Sequence, residues 1–208
     1  MYLQITTRCN MSCEHCAFSC THEGKDMSLE TFRTALDHCG ESITIGGGEP
    51  TLHPKFWEMF GLAIGHAYNT CIITNGSMTD TALTLLSISE RLEENFYVDL
   101  SQDPYHDAID EQVVRAYKKA QRIRNVDGHI RKTGRAREFF DECDFDNSAC
   151  VCDSIIVRPD GAMKYCGCDD APIIGSVYTE ESEEYLEYHN EGFHCWQEVL
   201  DSEEEDVA

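Results

Sequence analysis

Three cysteines near the N-terminus have a spacing that suits a metal cluster. Cys9, Cys13 and Cys16 are separated by three and then two residues. Thiolates are the usual protein ligands of a four-iron, four-sulfur cluster, and three of them leave one iron without a protein ligand. A catalytic metal requires such an open position, because a substrate or cofactor can occupy it. The spacing therefore predicts a catalytic cluster, although Cys20, just outside this loop, could in principle close it as a fourth ligand.

A second group of cysteines lies in the last third of the chain. The group consists of Cys143, Cys150, Cys152, Cys166 and Cys168, with Cys195 further on. The sequence has 12 cysteines but no secretory pattern at its N-terminus, so metal binding is favoured over a disulfide framework. Cysteine pairs that flank a hairpin suit either a second four-iron cluster or tetrahedral zinc.

The elements that position these cysteines alternate between strand and helix. Strands are predicted at residues 2–6, 42–45, 70–74 and 96–100, and helices at 28–39, 56–68, 80–92 and 110–124. This alternation predicts a parallel sheet with helices outside it. Residues 154–165 read as a β-hairpin with a turn at Pro159-Asp160-Gly161.

Several motifs follow the predicted strands, where parallel βα folds place their active sites. The motifs are Cys9 to Cys16 after the first strand, Gly47-Gly48-Glu49 after the second, Thr74-Asn75-Gly76 after the third and Ser101 after the fourth. In this order they resemble the radical S-adenosylmethionine (SAM) superfamily. The resemblance implies that Gly47, Gly48 and Glu49 hold the methionyl amine of SAM. It also implies that Thr74 and Asn75 form a turn of the cofactor site, that Ser101 meets the ribose and that the backbone near His15 faces the adenine.

The resemblance implies a mechanism and an architecture. SAM would ligate the open iron of the cluster, an electron from a flavodoxin-like or ferredoxin-like donor would cleave it, and the 5′-deoxyadenosyl radical would take hydrogen from a substrate. The fold would be α/β, a truncated TIM-like βα barrel of about five strands with a parallel sheet. In many relatives an arginine follows a His-Asp pair and helps to hold SAM; here His106-Asp107 lacks it.

The second cysteine group resembles an auxiliary-cluster module of the same superfamily. Cys150, Gly161 and Cys166, followed by Ile174-Gly175-Ser176-Val177, match the opening of the SPASM or twitch module. The resemblance implies one auxiliary four-iron cluster, held by Cys166 and Cys168 with Cys150 or Cys152 and one of Cys143 or Cys195; zinc is the alternative. We therefore expect a radical SAM core at 1–140, a small cysteine-rich hairpin module at 141–198 and an acidic disordered tail at 199–208.

The charge distribution bears on the substrate. The formal net charge is −23, yet nine of the 16 basic residues fall between Arg115 and Arg137. On a helix Arg115, Lys118, Lys119 and Arg122 would share one face, and Arg131, Lys132, Arg135 and Arg137 follow. Such a concentration is typical either of a phosphate-rich partner or of a solvated face that offsets nearby acids.

Three functions are compatible with these observations. The first, slightly favoured by the basic residues, is modification of a nucleic-acid base or of a group attached to one. The second, common among SPASM and twitch enzymes, is modification of a peptide or protein side chain. The third is a non-catalytic iron–sulfur electron-transfer protein, which would need neither an open iron nor a glycine-rich turn for SAM.

Length and hydropathy complete the expectations. The 208 residues have room for one ordinary domain with a small appendage. No apolar run reaches the roughly 18 residues of a membrane-spanning helix, and the N-terminus lacks a secretory signal. We expect a protein of the cytoplasm that has no membrane partner.

Overall fold

The computed structural model describes residues 1–92, 94–124, 130, 133–139, 155–164, 167, 171 and 173–179. The second cysteine group, Cys195 and the acidic tail predicted at 199–208 lie outside the described residues, so their predicted roles stay predictions. Among the residues described, no helix combines the length and the apolar character that a membrane-spanning segment needs.

Five strands in chain order form the body of the sheet. They are β1 (Tyr2–Thr6), β2 (Ser42–Gly47), β3 (Asn69–Thr74), β4 (Phe96–Ser101) and β5 (Ile123–Arg124). Each is parallel to its neighbour. On the other side of β1 the sheet continues with β6 (Ile156–Val157), β7 (Ala162–Lys164) and β8 (Ile173–Ser176), in the order β5-β4-β3-β2-β1-β6-β7-β8. Within the described part β5 and β8 are the two edges, so the sheet is an unclosed, mostly parallel one.

The connections between the parallel strands are helical. The helices are α1 (Leu29–Asp37), α2 (Phe56–His66), α3 (Thr79–Leu92), α4 (Glu111–Lys119) and α5 (Ala136–Phe139), with a 3-10 turn at Pro50–Leu52. Helix α1 begins where the sequence predicts, because Ser28 accepts a hydrogen bond from the backbone amide of Thr31 at 2.9 Å and so caps it. Consecutive parallel strands that are also neighbours in space keep their crossover helices on one face of the sheet.

The two faces of the sheet differ in polarity, as strand β4 shows. Phe96, Val98 and Leu100 are fully buried in the core that the helices cover. The alternate residues Tyr97 and Asp99 are only partly buried and point to the opposite face, because successive side chains of a strand point to opposite sides. We call this opposite side, which carries Tyr97, Asp99 and Ser101, the inner face. On strand β4 it is the more polar of the two faces.

The prediction of one helix over residues 110–124 is wrong for its last five residues. Helix α4 ends at Lys119, and Gln121 has a φ of 57°, a left-handed conformation that terminates helices. The amide of Arg122 then donates to the carbonyl of Tyr117 at 2.9 Å, and the amide of Leu100 donates to the carbonyl of Arg122 at 2.8 Å. These contacts turn the chain into β5, a strand too short for its alternation to be visible in the sequence.

The predicted hairpin is confirmed. Strands β6 and β7 pair antiparallel, and Gly161 adopts a φ of +85° in the turn between them, a conformation that glycine tolerates without strain. Strand β6 also pairs with β1 in parallel, so the hairpin extends the sheet of the core. The boundary between a core and a cysteine-rich module at residues 140 and 141 stays a prediction.

Candidate active site

The loop after β1 gathers four cysteines in one partly apolar cluster. Cys9 and Cys20 are buried there, and Cys13 and Cys16 are partly buried beside them. The three cysteines of the predicted cluster site are thus brought together as the sequence predicted. Cys20 joins them, and its Sγ lies 3.9 Å from the carbonyl oxygen of Phe18.

The thiol groups affect one another strongly. Burial, together with the neighbouring Cys9 and Cys16, raises the pKa of Cys13 to about 11. Burial likewise raises the pKa of Cys9. Cys16 is the exception, because a hydrogen bond from the thiol of Cys20 lowers its pKa. Three close thiol groups repel one another as thiolates, so a cationic iron core is the partner that allows all three to be deprotonated. The donor set therefore fits an iron–sulfur cluster.

The glycines of the second motif allow β2 to end against the cysteine loop. The amide of Gly48 donates to the carbonyl of Thr6, and the amide of Glu49 donates to the carbonyl of Arg8, both at 2.8 Å. A Cβ at Gly48 would overlap the carbonyl of Arg8 and lie 2.9 Å from the Cβ of Cys9. A side chain is therefore excluded at this position, and the backbone of the turn forms one wall beside Cys9.

The carboxylate of Glu49 is fully buried among hydrogen-bond donors. Oε1 accepts from the amide and hydroxyl of Thr51 and, at 2.8 Å, from the hydroxyl of Thr74, and Oε2 accepts from the amide of Asn75 at 2.6 Å. Burial raises the pKa of Glu49, and these donors lower it in part. The side chain thus ties the end of β2 to the end of β3. Contact between this carboxylate and a methionyl amine stays a prediction.

The third motif connects β3 to the cysteine loop. The Asn75 side-chain amide donates to Asn10 Oδ1 at 3.0 Å and points towards Cys9 Sγ at 3.8 Å. The Thr74 hydroxyl accepts from the amide of Gly76 at 3.1 Å while it donates to Glu49. The structure therefore shows Thr74 and Asn75 as residues that order the site around Cys9. Whether they also touch SAM stays a prediction.

His15 lies in a small group of rings and one carboxylate. Its Nε2 is 3.3 Å from Asp103 Oδ2, and Asp103 Oδ1 is 2.9 Å from Nδ1 of His106. The rings of Tyr105 and His106 lie 5.2 and 4.9 Å from the His15 ring, centroid to centroid. Burial lowers the pKa of His15, although Asp103 raises it. A neutral imidazole among aromatic rings offers a flat surface of the kind that an adenine base stacks on.

The group around His15 was only partly visible in the sequence. Asp103 and His106 received no role there, although Asp103 directly follows the fourth strand, where site residues are expected. Their ligand atoms and that of His15 lie within 4.8 Å of one another, close enough to hold a metal ion. Among the described residues, His15 Nδ1 and Gln102 Oε1 are buried without a hydrogen-bond partner. Such orphaned atoms beside the cysteine loop fit a site that receives a polar ligand.

Two arginines, one just before β5 and one within it, bring positive charge to the inner face. Arg122 lies 3.9 Å from Asp99 Oδ1, and its guanidinium carbon lies 5.1 Å from the centre of the Tyr97 ring. Burial raises the pKa of Asp99, while the positive charges of Arg122 and Arg124 lower it in part. Arg124 is paired with Ser101 across the two strands. Arg122 is thus removed from the basic helix face that the sequence predicted.

Comparison with known proteins identifies the family. The Radical SAM superfamily matches residues 3–134. The mycofactocin maturase MftC of Mycobacterium tuberculosis is 30% identical over 116 residues, which are 51% of this chain and 29% of that relative. An S-adenosylmethionine-dependent nucleotide dehydratase of Selenomonas ruminantium is 33% identical over 81 residues, 36% of this chain and 29% of the relative. The solved structure of Streptococcus suis SuiB bound to S-adenosylmethionine covers 88% of this chain and 66% of its own, with a TM-score of 0.45 and 11% identity.

The match over well more than half of its length shows that the chain belongs to the radical SAM superfamily of enzymes. The chain spans less than a third of the length of the two relatives named. Membership implies SAM and a four-iron, four-sulfur cluster as cofactors, and the thiol set of the loop fits the cluster. The sequence-based prediction of the family and of a partial barrel-like α/β fold is confirmed.

Proposed function

We propose that this chain cleaves SAM reductively at a four-iron, four-sulfur cluster held by Cys9, Cys13 and Cys16. When bound, the cluster and SAM supply an electron and a 5′-deoxyadenosyl radical that abstracts hydrogen from a substrate. The observation that carries the proposal is the grouping of these three cysteines in one cluster, with Cys9 beside Gly48 where the ends of β1 and β2 meet.

Different residues of the chain would bind and orient different parts of the cluster and of SAM. The backbone of Gly47 and Gly48 forms the wall beside Cys9, and Glu49 fixes that wall to β3 through Thr74 and Asn75. His15 and its ring neighbours supply a flat surface for the adenine. Ser101, which ends β4 on the inner face, is the residue we assign to the ribose.

For the substrate we propose a molecule with an anionic group near the reacting centre, a nucleic-acid base or a group attached to one. Two guanidinium groups, from Arg122 and Arg124, face one carboxylate on the inner face. This local excess of positive charge in a very acidic chain favours a phosphate. The Selenomonas ruminantium relative is a nucleotide dehydratase, and a nucleotide carries such a group. Modification of a peptide or protein side chain is the alternative, and the twitch-like cysteine spacing is the feature that favours it.

Anaerobic reconstitution tests the catalytic proposal. The purified protein is loaded with iron and sulfide, and 5′-deoxyadenosine is assayed after incubation with SAM and dithionite. We expect 5′-deoxyadenosine from the wild type and from Cys39→Ala, a control far from the loop, but none from Cys13→Ala. About four irons per chain would indicate the catalytic cluster alone, and about eight would add an auxiliary cluster. A cluster that assembles but never cleaves SAM would leave an electron-transfer protein.

Binding of a fluorescein-labelled single-stranded oligonucleotide at several salt concentrations tests the substrate class. Phosphate contacts make the affinity fall steeply with salt. We expect such a fall for the wild type and weaker binding for Arg122→Gln and Arg124→Gln. Arg115→Gln, which removes an exposed charge on α4, is the matched control. Salt-independent or absent binding would refute the nucleic-acid proposal and favour the peptide alternative.

A further inference from the structure

One arginine, distant in sequence, contacts the cysteine loop at three points between Cys13 and Cys20. Nη1 of Arg135 donates to the carbonyl of Cys13 at 2.8 Å, and Nη2 donates to the carbonyl of Cys20. The backbone amide of the same residue donates to the carbonyl of Cys16 at 3.0 Å. These three acceptors span the segment that contains two of the three cluster ligands. The fork of a guanidinium group can reach two such acceptors at once, whereas the single ammonium of a lysine cannot hold them in the same geometry.

The residue before Arg135 is shaped for this close approach. Gly134 adopts a φ of +57°, in the left-handed region that glycine occupies without strain. A Cβ at this position would overlap the carbonyl of Ala17 and lie 2.8 Å from the carbonyl oxygen of Cys16. Ala136, which follows, is fully buried and begins α5. The segment is therefore anchored on its other side, and Gly134 and Arg135 together form a close contact with the loop.

The contact also places a positive charge beside the thiols. Both terminal nitrogens of the Arg135 guanidinium group are bonded to backbone carbonyls of the cysteine loop, those of Cys13 and Cys20, so the charge lies within the loop that holds Cys16. A thiolate-ligated cluster gains one more negative charge when it is reduced, and a nearby cation favours the more negative state. The same guanidinium can thus act on both the shape of the loop and the reduction of the cluster.

We propose that Arg135 is a positioning residue that clamps the cluster loop and, through its charge, raises the reduction potential of the catalytic cluster. The inference rests on the proposed function only in requiring that the cluster forms at Cys9, Cys13 and Cys16. It also gives Arg135 a role other than the phosphate contact that the sequence suggested for residues 131–137.

Two variants and one control separate the effect of Arg135 on the shape of the loop from the effect of its charge on the reduction potential. Arg135→Lys keeps the charge but loses the fork, and Arg135→Gln loses both. Arg115→Gln removes an exposed positive charge that pairs with Glu111 at 3.8 Å on the same helix, so it controls for a general change in charge. The midpoint potential of the reconstituted cluster is measured by an EPR-monitored titration, and the release of iron to a chelator is timed.

We expect a more negative midpoint potential in Arg135→Gln, a potential near that of the wild type in Arg135→Lys, and faster iron release in both. The loss of a charge-assisted hydrogen bond corresponds to about tenfold or more in the release rate. In the protein without its cluster, iodoacetamide should alkylate Cys13 and Cys16 faster in Arg135→Lys than in the wild type, so the clamp can be tested even if Arg135→Gln does not fold.

Two results would overturn the inference. One is a potential, a release rate and an alkylation rate in Arg135→Lys and Arg135→Gln that equal those of Arg115→Gln. The other is a potential shift as large in Arg115→Gln as in Arg135→Gln, which would show that the location of the charge is irrelevant. If the wild type itself assembles no cluster, the proposed function fails instead, and the alkylation rates still decide whether Arg135 orders the loop.

Discussion

Replacement of Glu49 by glutamine changes one atom of a carboxylate that accepts four hydrogen bonds in the site. In the wild type, Oε1 accepts three hydrogen bonds and Oε2 accepts one, from the amide of Asn75 at 2.6 Å. In Glu49→Gln the remaining side-chain oxygen can still accept the three hydrogen bonds from Thr51 and Thr74. The new NH2 group then faces the amide of Asn75, so two donors meet in a fully buried position.

The magnitude follows from these contacts. A buried donor without an acceptor costs about 1–3 kcal/mol, and the remaining hydrogen bonds lose the strengthening that a charged acceptor gives. We expect Glu49→Gln to lower the free energy of unfolding by about 2–4 kcal/mol. Urea unfolding of the protein without its cluster, followed by circular dichroism, measures this difference, and an unchanged slope with urea shows that the unfolding reaction is the same.

A control and a pH comparison sharpen the test. Glu58→Gln on α2 removes a glutamate whose side chain is 44% exposed and whose ion pairs are 3.6 and 3.8 Å long, so we expect a change of about 0.5 kcal/mol or less. Burial raises the pKa of Glu49 in the folded state. The stability that this group contributes is therefore complete below its unfolded pKa and declines as the pH rises through the folded pKa. The cost of Glu49→Gln should not be larger at pH 8 than at pH 6.

A cost for Glu49→Gln as small as that for Glu58→Gln would refute the reasoning. It would mean that the buried carboxyl group is neutral, because a protonated carboxyl group and an amide have similar shapes. Each has one acceptor oxygen and one hydrogen-bond donor group. Glu49 would then not act as a charged acceptor that joins the ends of β2 and β3.

Three further outcomes are expected. Gly48→Ala should abolish most of the iron binding in reconstitution, whereas Gly61→Ala, whose Cβ meets no described atom within 4 Å, should bind iron normally and gain about 0.5–1 kcal/mol in helix α2; equal iron contents would contradict the packing argument. Tyr117→Phe should lower the free energy of unfolding by about 1 kcal/mol, because the buried hydroxyl donates to the carbonyl of Ala82 at 2.8 Å, and an unchanged urea midpoint would show that this bond contributes nothing. Burial raises the pKa of Cys39 to about 11 from 9.0, so at pH 9 iodoacetamide should alkylate this thiol far more slowly in the native than in the urea-unfolded protein; comparable rates, read by mass spectrometry, would count against the burial of the thiol.

The sequence by itself determined the parts of the protein that depend on short stretches of chain. Cys9, Cys13 and Cys16 lie within eight residues, so one loop suffices to bring them together, and their spacing was readable without a structure. The first four strands and three helices have strong apolar patterns, and their alternation predicted the parallel sheet. The glycine turn and the end of β4 were located correctly because parallel strands end at one edge of the sheet.

Tertiary structure decided the direction of side chains that are far apart in sequence. Arg122 and Arg135 read as members of one basic surface, yet one turns to Asp99 on the inner face and the other reaches the carbonyl of Cys13 across 122 residues. Asp103 meets His15, and Glu49 meets Thr74, only because the strand ends are neighbours in the sheet. A local pattern records which residues are polar or charged, but the partner of each is fixed by the packing of the whole sheet, which no short stretch of sequence contains.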